Sequence, residues 1–444
     1  MTVRRWAVGA AVVSLIACSG ATRPAMDAVG EPATQSLFVS QIALHPERPD
    51  RVLALTNYSI GLLKSGDRGQ RWDTANRGIR SYSLYRLVVD PRDPDLVYVG
   101  AGGGGLYRSV DGAETFVERN NGLGNTNIGA IVLHPGDPDR VFVVTSTGVF
   151  VSPDRGETWS AWNEGDTFSQ SQQYQDLVIV PGDPDTALLA SEFGVWRRRP
   201  GEPSWTIASP DLQGRPITVL MAHPDGRRVF AAALRDGRTL EGGGLFVSED
   251  LGTTWARWDR GDLSRAWIRR LWFDSRSALV YAATSGDGVL RSEDGGRTWE
   301  PRNAGLPLPD VRALVPDPAN PRRVFAGTHG HGVVLTEDGG ASWRTLGRAP
   351  RVDAETIIAS LKVRDASRPP SGVVAPAAFA KCNACHGWTD PAINQAPHSF
   401  WLVPPNRRDW RRTVRRMARI AGLSSAEEAE VAEFLTNYSS QENE

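Results

Sequence analysis

The chain has 444 residues, more than one ordinary domain, so either one large repeat architecture or two domains with separate cores is expected. Fifty Lys and Arg against 51 Asp and Glu leave a formal net charge of −1, which excludes binding to nucleic acid or to an anionic membrane through a global field. Abundant Gly (45), Pro (30) and Trp (15) suit an all-β protein with many tight turns better than a helical bundle, and three cysteines exclude a disulfide scaffold.

The N-terminus reads as an export signal. Arg4 and Arg5 form a charged start, and the mostly apolar run over residues 6–17 is too short to span a bilayer as a mature helix. Leu15, Ile16, Ala17 and Cys18 resemble a bacterial lipobox. That resemblance implies that residues 1–18 are a lipoprotein signal ending in the acylated Cys18, and Ser19 in place of Asp implies the outer membrane. Residues 19–38, rich in Gly, Ala, Thr, Pro, Ser and Gln, are expected to form a flexible tether.

An internal repeat fills the middle of the chain. The pattern S-x-D-x-G-x-x-W, or a near relative, recurs as SGDRGQRW (65–72), SVDGAETF (109–116), SPDRGETW (152–159), SEDLGTTW (248–255), SEDGGRTW (292–299) and TEDGGASW (336–343). A degenerate copy, RRPGEPSW (198–205), keeps Trp205 but places Arg198, Pro200 and Glu202 where Ser, Asp and Gly are expected. The closing aromatics at 72, 116, 159, 205, 255, 299 and 343 mark seven repeats. Within each, an apolar stretch, a His/Asp-Pro turn, a β-branched strand, a Gly turn, a second strand and the Asp-containing turn precede the aromatic. In the sixth these fall at 268–273, 278–284, 288–292 and Trp299. Four short antiparallel strands per repeat cannot bury both faces of a sheet alone, so the repeats are expected to stack radially as a seven-bladed β-propeller over residues 39–348, closed either within the seventh repeat or by an N-terminal strand over 36–40. The longest interval places an insertion at 235–244, in the second hairpin of the fifth repeat.

These repeats resemble the Asp-box of sialidases, sortilin-type receptors and photosystem II assembly factors. The box has a local role: Ser and Asp bond backbone amides of a tight turn, Gly supplies positive φ, and the aromatic packs beneath. The boxes therefore mark the fold and not an active site. A sialidase-type glycoside hydrolase would need an arginine cluster, a Tyr/Glu nucleophile pair and an Asp acid, and no Arg-Ile-Pro signature stands near the start of the repeats. The loops 76–83, 120–127 and 163–175 should share one rim with the Gly turns, and that rim is the expected binding face. There His329 and His331, in THGHG, can either ligate a metal or simply form the turn. GAGGGG (100–105) satisfies G-x-G-x-x-G in letters, but it lies between two strands and opens no helix, so it offers no dinucleotide site.

After Arg351 the repeat stops. Residues 349–373 read as a linker and 374–444 as a small helical domain containing CNACH. Cys382 and Cys385, three apart on a helix, can form thioethers to one haem, while His386 offers its ring to the iron. Zinc would need two further ligands where His398 is the only other His, and a thioredoxin-like pair would need a βαβ context. The terminal segment, with S-x-x-E boxes at 424–428 and apolar Val431, Phe434, Leu435 and Tyr438, predicts an amphipathic helix. The whole resembles a class I cytochrome c, a single-haem domain with Trp410, Val414 and Met417 before the last helix. That resemblance implies Met417 as the second axial ligand, with His398 as the rival. Arg408, Arg411, Arg412, Arg415 and Arg416 form a basic band, either a solvated face or a docking surface.

The expected fold is thus mainly β, a propeller followed by a small all-α cytochrome. The expected protein is periplasmic and lipid-anchored, carries one covalent haem c, transfers single electrons with a redox protein partner, and touches the membrane through its lipid alone. The propeller would be a docking, ligand-binding or assembly module. The alternative makes it a catalytic oxidoreductase with the haem as its electron outlet.

Overall fold

The computed structural model describes residues 37–347 except 57–59, 82, 163–173, 200, 203, 209, 235–242, 261, 262, 264 and 265, and it describes Ala429. Strands dominate, in seven consecutive four-stranded meanders. The first contains β1 (Leu37–His45), β2 (Arg48–Thr56), β3 (Gly61–Ser65) and β4 (Asp73–Thr74). The second contains β5 (Leu84–Asp90), β6 (Asp93–Ala101), β7 (Gly105–Ser109) and β8 (Val117–Glu118). The third contains β9 (Ile128–Leu133), β10 (Val141–Thr145), β11 (Gly148–Ser152) and β12 (Ser160–Ala161). The fourth contains β13 (Tyr174–Val180), β14 (Asp183–Ser191), β15 (Gly194–Arg198) and β16 (Thr206–Ile207). The fifth contains β17 (Ile217–Ala222), β18 (Val229–Ala233), β19 (Gly244–Ser248) and β20 (Ala256–Arg257). The sixth contains β21 (Trp267–Phe273), β22 (Val280–Ser285), β23 (Val289–Ser292) and β24 (Glu300–Pro301). The seventh contains β25 (Val311–Asp317), β26 (Asn320–Gly330), β27 (Val333–Thr336) and β28 (Arg344–Thr345).

Five meanders are separate antiparallel sheets, and the first and last share one eight-stranded sheet in which Leu37 pairs with Gly330 and Phe38 with His329. Strand β1 therefore begins at Leu37, two residues inside the segment expected to be tether, because these residues find backbone partners across the join. The chain is a β-propeller. Its core is not one mass but a series of hydrophobic clusters, each filled by two neighbouring meanders. Leu55 and Leu62 meet Val97 and Tyr107 in one such cluster, and Phe325 and Leu335 meet Val39 and Trp72 at the join. Each meander thus buries its faces only against its neighbours, as a radial stack requires.

The repeated Ser-x-Asp turns explain the sequence signal. Ser292 Oγ donates to Asp294 Oδ1 at 2.7 Å and accepts the Gly296 N–H at 2.8 Å, while Asp294 Oδ1 accepts the Thr298 N–H at 2.9 Å. The same bonds recur from Ser65, Ser109, Ser152, Ser248 and Thr336. Two successive residues take positive φ there, and the non-glycines that do so (Arg68, Ala113, Arg155 and Leu251) all stand in these turns. The closing aromatics, from Trp72 to Trp343, are all buried. In the degenerate fourth copy, the Glu202 carboxylate replaces the missing cap by accepting the Arg199 N–H at 2.9 Å, and Trp205 stays buried.

A second repeated device was not apparent from the sequence. Asn76, Asn120 and Asn303 each accept, through Oδ1, the N–H of the residue after the hairpin glycine of their own meander, and Asp259 does the same for Leu245. Two residues after each of these asparagines a glycine takes positive φ, at Gly78, Gly122 and Gly305. A Cβ on Gly122 would lie 2.2 Å from the Trp159 carbonyl oxygen, so only glycine lets the loop pass under the next meander's tryptophan.

Candidate functional site

The hydrogen bonds sort the loops onto two rims. On one, inter-meander connections lie against the Gly hairpins: Gly102 donates to Ser83 O at 2.7 Å, Gly105 to Thr126 O at 2.9 Å and Gly214 to Phe193 O at 2.8 Å. On the other, the Ser-x-Asp turns lie against the first hairpins, as in Arg155 N to Asp139 O at 2.7 Å and Gly339 N to Arg322 O at 2.8 Å. The loop expected over 163–175 ends before Tyr174, which opens β13. GAGGGG forms the turn between β6 and β7.

All seven inner strands carry a β-bulge near their start. The register with the second strand skips Ser40, Tyr85, Gly129, Gln175, Thr218, Arg269 and Arg312. A bulge re-aims side chains and breaks the alternation of faces. Here every bulged residue except Gly129 lines one cavity of about 520 Å³ on the glycine-hairpin rim. Phe38, Arg86, Glu192, Trp267 and Arg270 complete its polar and aromatic lining. The volume is in the ordinary range for a small-molecule site.

Residues beside the bulges stitch neighbouring meanders together. Gln41 Oε1 accepts the Leu87 N–H at 2.7 Å, Asp176 Oδ2 accepts the Leu220 N–H at 3.1 Å, and Thr218 Oγ1 donates to Ile268 O at 3.2 Å. Arg86 reaches further, donating from Nη2 to Gln175 O at 3.1 Å and from Nη1 to Tyr85 O at 3.1 Å. Arg270 Nη1 donates to Arg269 O at 3.0 Å, Arg269 Nε to Ser285 Oγ at 2.7 Å, and Arg312 binds both oxygens of Asp310 at 2.7 and 2.9 Å.

The electrostatics follow from this crowding. Burial, aggravated by the facing Arg270, pulls the Arg86 guanidinium down to about 10, with Asp176 opposing the shift. Burial and then Arg312 bring Arg269 to about 10 as well. Burial lowers Arg270 and raises the Asp176 carboxyl, although Arg270 and Arg86 both pull the carboxyl back. The perturbed arginines on this cleft make it the candidate functional site among the described residues.

The two histidines of THGHG are exposed. His329 packs edge-on against Phe38, ring centroids 4.8 Å apart, and among the described residues no group of three or more His, Cys, Asp or Glu is placed to hold a metal. Sequence reasoning missed Arg86, Asp176, Trp267, Arg269, Arg270 and Arg312. Arg86, Arg269, Arg270 and Arg312 line the cavity together with Tyr85 and Glu192, and Asp310 is engaged by Arg312. Cys18, Cys382, Cys385, His386, His398, Met417 and the basic band from Arg408 to Arg416 lie outside the described residues.

No protein-family model matches the chain, and no curated protein sequence matches it. Solved structures do. A GH74 xyloglucanase from Xanthomonas campestris superposes with a TM-score of 0.57 at 18% identity, over 69% of this chain and 52% of that one. YCF48 from Cyanidioschyzon merolae gives 0.52 at 16%, over 69% and 97%. YCF48 bound to a D1 peptide gives 0.51 at 16%, over 68% and 93%. The chain spans about half the length of the GH74 enzymes it matches. At these identities the likeness is one of fold.

Proposed function

We propose that this chain is an exported single-haem c-type electron-transfer protein whose propeller is a docking or ligand-binding module. The observation that carries this reading is CNACH: Cys382 and Cys385 beside His386, with Cys18 the only other thiol of the chain. The donor set suits haem c, with two thiols for covalent attachment and an imidazole for the iron. When bound, the haem would supply a reversible one-electron change. Cys382 and Cys385 would fix its position, His386 would hold one axial side, and Met417, or His398 in its place, the other. Met would raise the potential relative to His. The basic band at Arg408, Arg411, Arg412, Arg415 and Arg416 would orient an acidic redox partner. Acylated Cys18 would hold the protein at the outer membrane, facing the periplasm. The propeller would be a ring of seven blades, the two meanders of the eight-stranded sheet counting as two of them.

The test is an optical spectrum, oxidised and reduced, of the full chain produced with haem-maturation machinery. A sharp reduced α-band of covalent haem c supports the reading, and a protein with no covalent haem overturns it. The cavity on the glycine-hairpin rim supports a second reading, in which the propeller would bind a small-molecule reductant and the haem, when bound, would supply the one-electron acceptor. Haem reduction by a small molecule alone, abolished by substitutions at Arg270 or Trp267, would select it over a purely docking propeller.

A further inference from the structure

We infer that the cavity on the glycine-hairpin rim is a binding site for a small monoanionic carboxylate with an aromatic or apolar body, its carboxylate held by Arg86, Arg269 and Arg270 and its body lying against Trp267. The inference rests on the propeller alone and is independent of the haem.

The charge count sets the sign of the ligand. Four guanidiniums meet at the cavity, from Arg86, Arg269, Arg270 and Arg312. One carboxylate, Glu192, shares the lining, Asp310 is paired with Arg312, and Asp176 acts on Arg86 and Arg270 electrostatically. Among the described residues one positive charge is left in excess, which a monoanion would match.

The hydrogen bonds set the recognition chemistry. Among the described residues Arg86 and Arg270 donate to backbone carbonyls and Arg269 to a neutral hydroxyl, and none of the three has a direct carboxylate partner there. A guanidinium presents five N–H donors in a planar fork suited to a carboxylate, and each of these has used only one or two. Holding partly desolvated cations with no carboxylate hydrogen-bonded to them is costly, and an arriving anion would offset that cost.

The rim sets the rest of the ligand. Trp267 is 40% exposed at the mouth, held against Arg269 with the guanidinium carbon 3.6 Å from its ring centroid. Phe38 and Tyr85 extend the aromatic wall. A large exposed ring fixed by a cation stack beside unpaired guanidiniums is a surface for a carboxylate that carries a ring.

The full-length protein would be titrated calorimetrically with benzoate, acetate and inorganic phosphate. Benzoate is expected to saturate one site per chain, acetate to bind the same site more weakly, and added salt to weaken both. Arg270→Gln and Arg269→Gln are expected to weaken benzoate by about tenfold or more, the scale of a lost charge-assisted pair. Because the guanidinium of Arg270 is buried and acts electrostatically on Asp176 and Arg86, its variant is accepted only with wild-type circular dichroism; Trp267→Ala, at an exposed ring, provides the second test and should weaken benzoate more than acetate. Absence of saturable benzoate binding, equal affinity in the Arg269 and Trp267 variants, or binding of phosphate without benzoate would overturn the inference.

Discussion

The Asp176 carboxylate accepts the Leu220 N–H at 3.1 Å, from the next meander, and the Leu177 N–H at 3.0 Å, from its own. Asp176→Ala strands both amides and is expected to cost about 1–3 kcal/mol, whereas Asp176→Asn keeps an acceptor oxygen and should cost less. The pH response separates the variants further. Burial raises the folded Asp176 carboxyl above its usual value of 3.8. Its contribution is therefore complete below about 3.8 and is lost as pH rises through the folded value. Melting temperatures of wild type and Asp176→Asn from acid to neutral pH should shift steadily in favour of the Asn variant; a constant difference would refute the assignment.

His223 forms its turn as an aspartate would. Its Nδ1 accepts the Asp225 N–H at 3.1 Å, just as Asp317 Oδ1 accepts the Ala319 N–H at 2.9 Å in the seventh meander. His45 and His134 repeat the arrangement toward Glu47 and Gly136. The bond needs an unprotonated Nδ1. Burial, and then the nearby Arg228, lower the His223 value below 6.5. Stability from this group is present above about 6.5 and lost as pH falls through the folded value. Thus His223→Asp should fold normally and remove part of the destabilisation below about pH 6.5, while His223→Leu should lose about 1 kcal/mol at neutral pH. Chemical denaturation at two pH values on either side of the window checks both.

Two glycines isolate the cost of close approach. Gly122 has φ +91° and Gly214 φ +76°, so a side chain strains either backbone to a similar degree. A Cβ at 122 would stand 2.2 Å from Trp159 O, whereas one at 214 meets nothing within 4 Å. Gly214→Ala is expected to cost about 1 kcal/mol, the backbone penalty alone. Gly122→Ala must also separate two meanders and should cost at least about 2 kcal/mol more. Equal melting temperatures for the two variants would contradict the packing described.

Why the repeats were legible and the cavity was not is a matter of range. Ser292, Asp294, Gly296 and Trp299 act on one another within one turn, so their spacing survives in the letters of the sequence. In the fourth repeat, where Glu202 takes over the cap, Trp205 alone preserved the period. The insertion also fell where expected, between β18 and β19. Arg86, Asp176 and Arg270 belong instead to three different meanders, and each follows a bulged residue that shifts the two-residue alternation by one. In WIRRLWF nothing local distinguishes arginines that line a cavity, as Arg269 and Arg270 do, from arginines on a solvated face. Phe38 falls where tether and closing strand compete in the sequence, because its partner, His329, lies at the other end of the propeller sequence.

The Ser-x-Asp turns should behave as acid-labile clips. In the second meander, burial alone would raise Asp111, but the Thr115 hydroxyl and amide, the Ser109 hydroxyl and the Glu114 amide outweigh it and hold the carboxyl at about 2. Asp67, Asp154, Asp250, Asp294 and Asp338 are lowered as well. A depressed carboxyl contributes stability above the unfolded value of 3.8 that is lost as pH falls through the folded one, so acid unfolding of the propeller should concentrate between about 3.8 and about 2. The two halves of a clip differ in kind. Ser292 Oγ satisfies the buried Gly296 amide, and Ser292→Ala should cost about 1–3 kcal/mol at every pH. Asp294 is exposed, and Asp294→Asn should cost less at neutral pH and flatten the acid limb, because the variant has no proton to gain there. Acid titrations followed by tryptophan fluorescence should therefore show a parallel displacement for Ser292→Ala and a shallower curve for Asp294→Asn; identical curve shapes would mean that the aspartate serves only as a neutral acceptor.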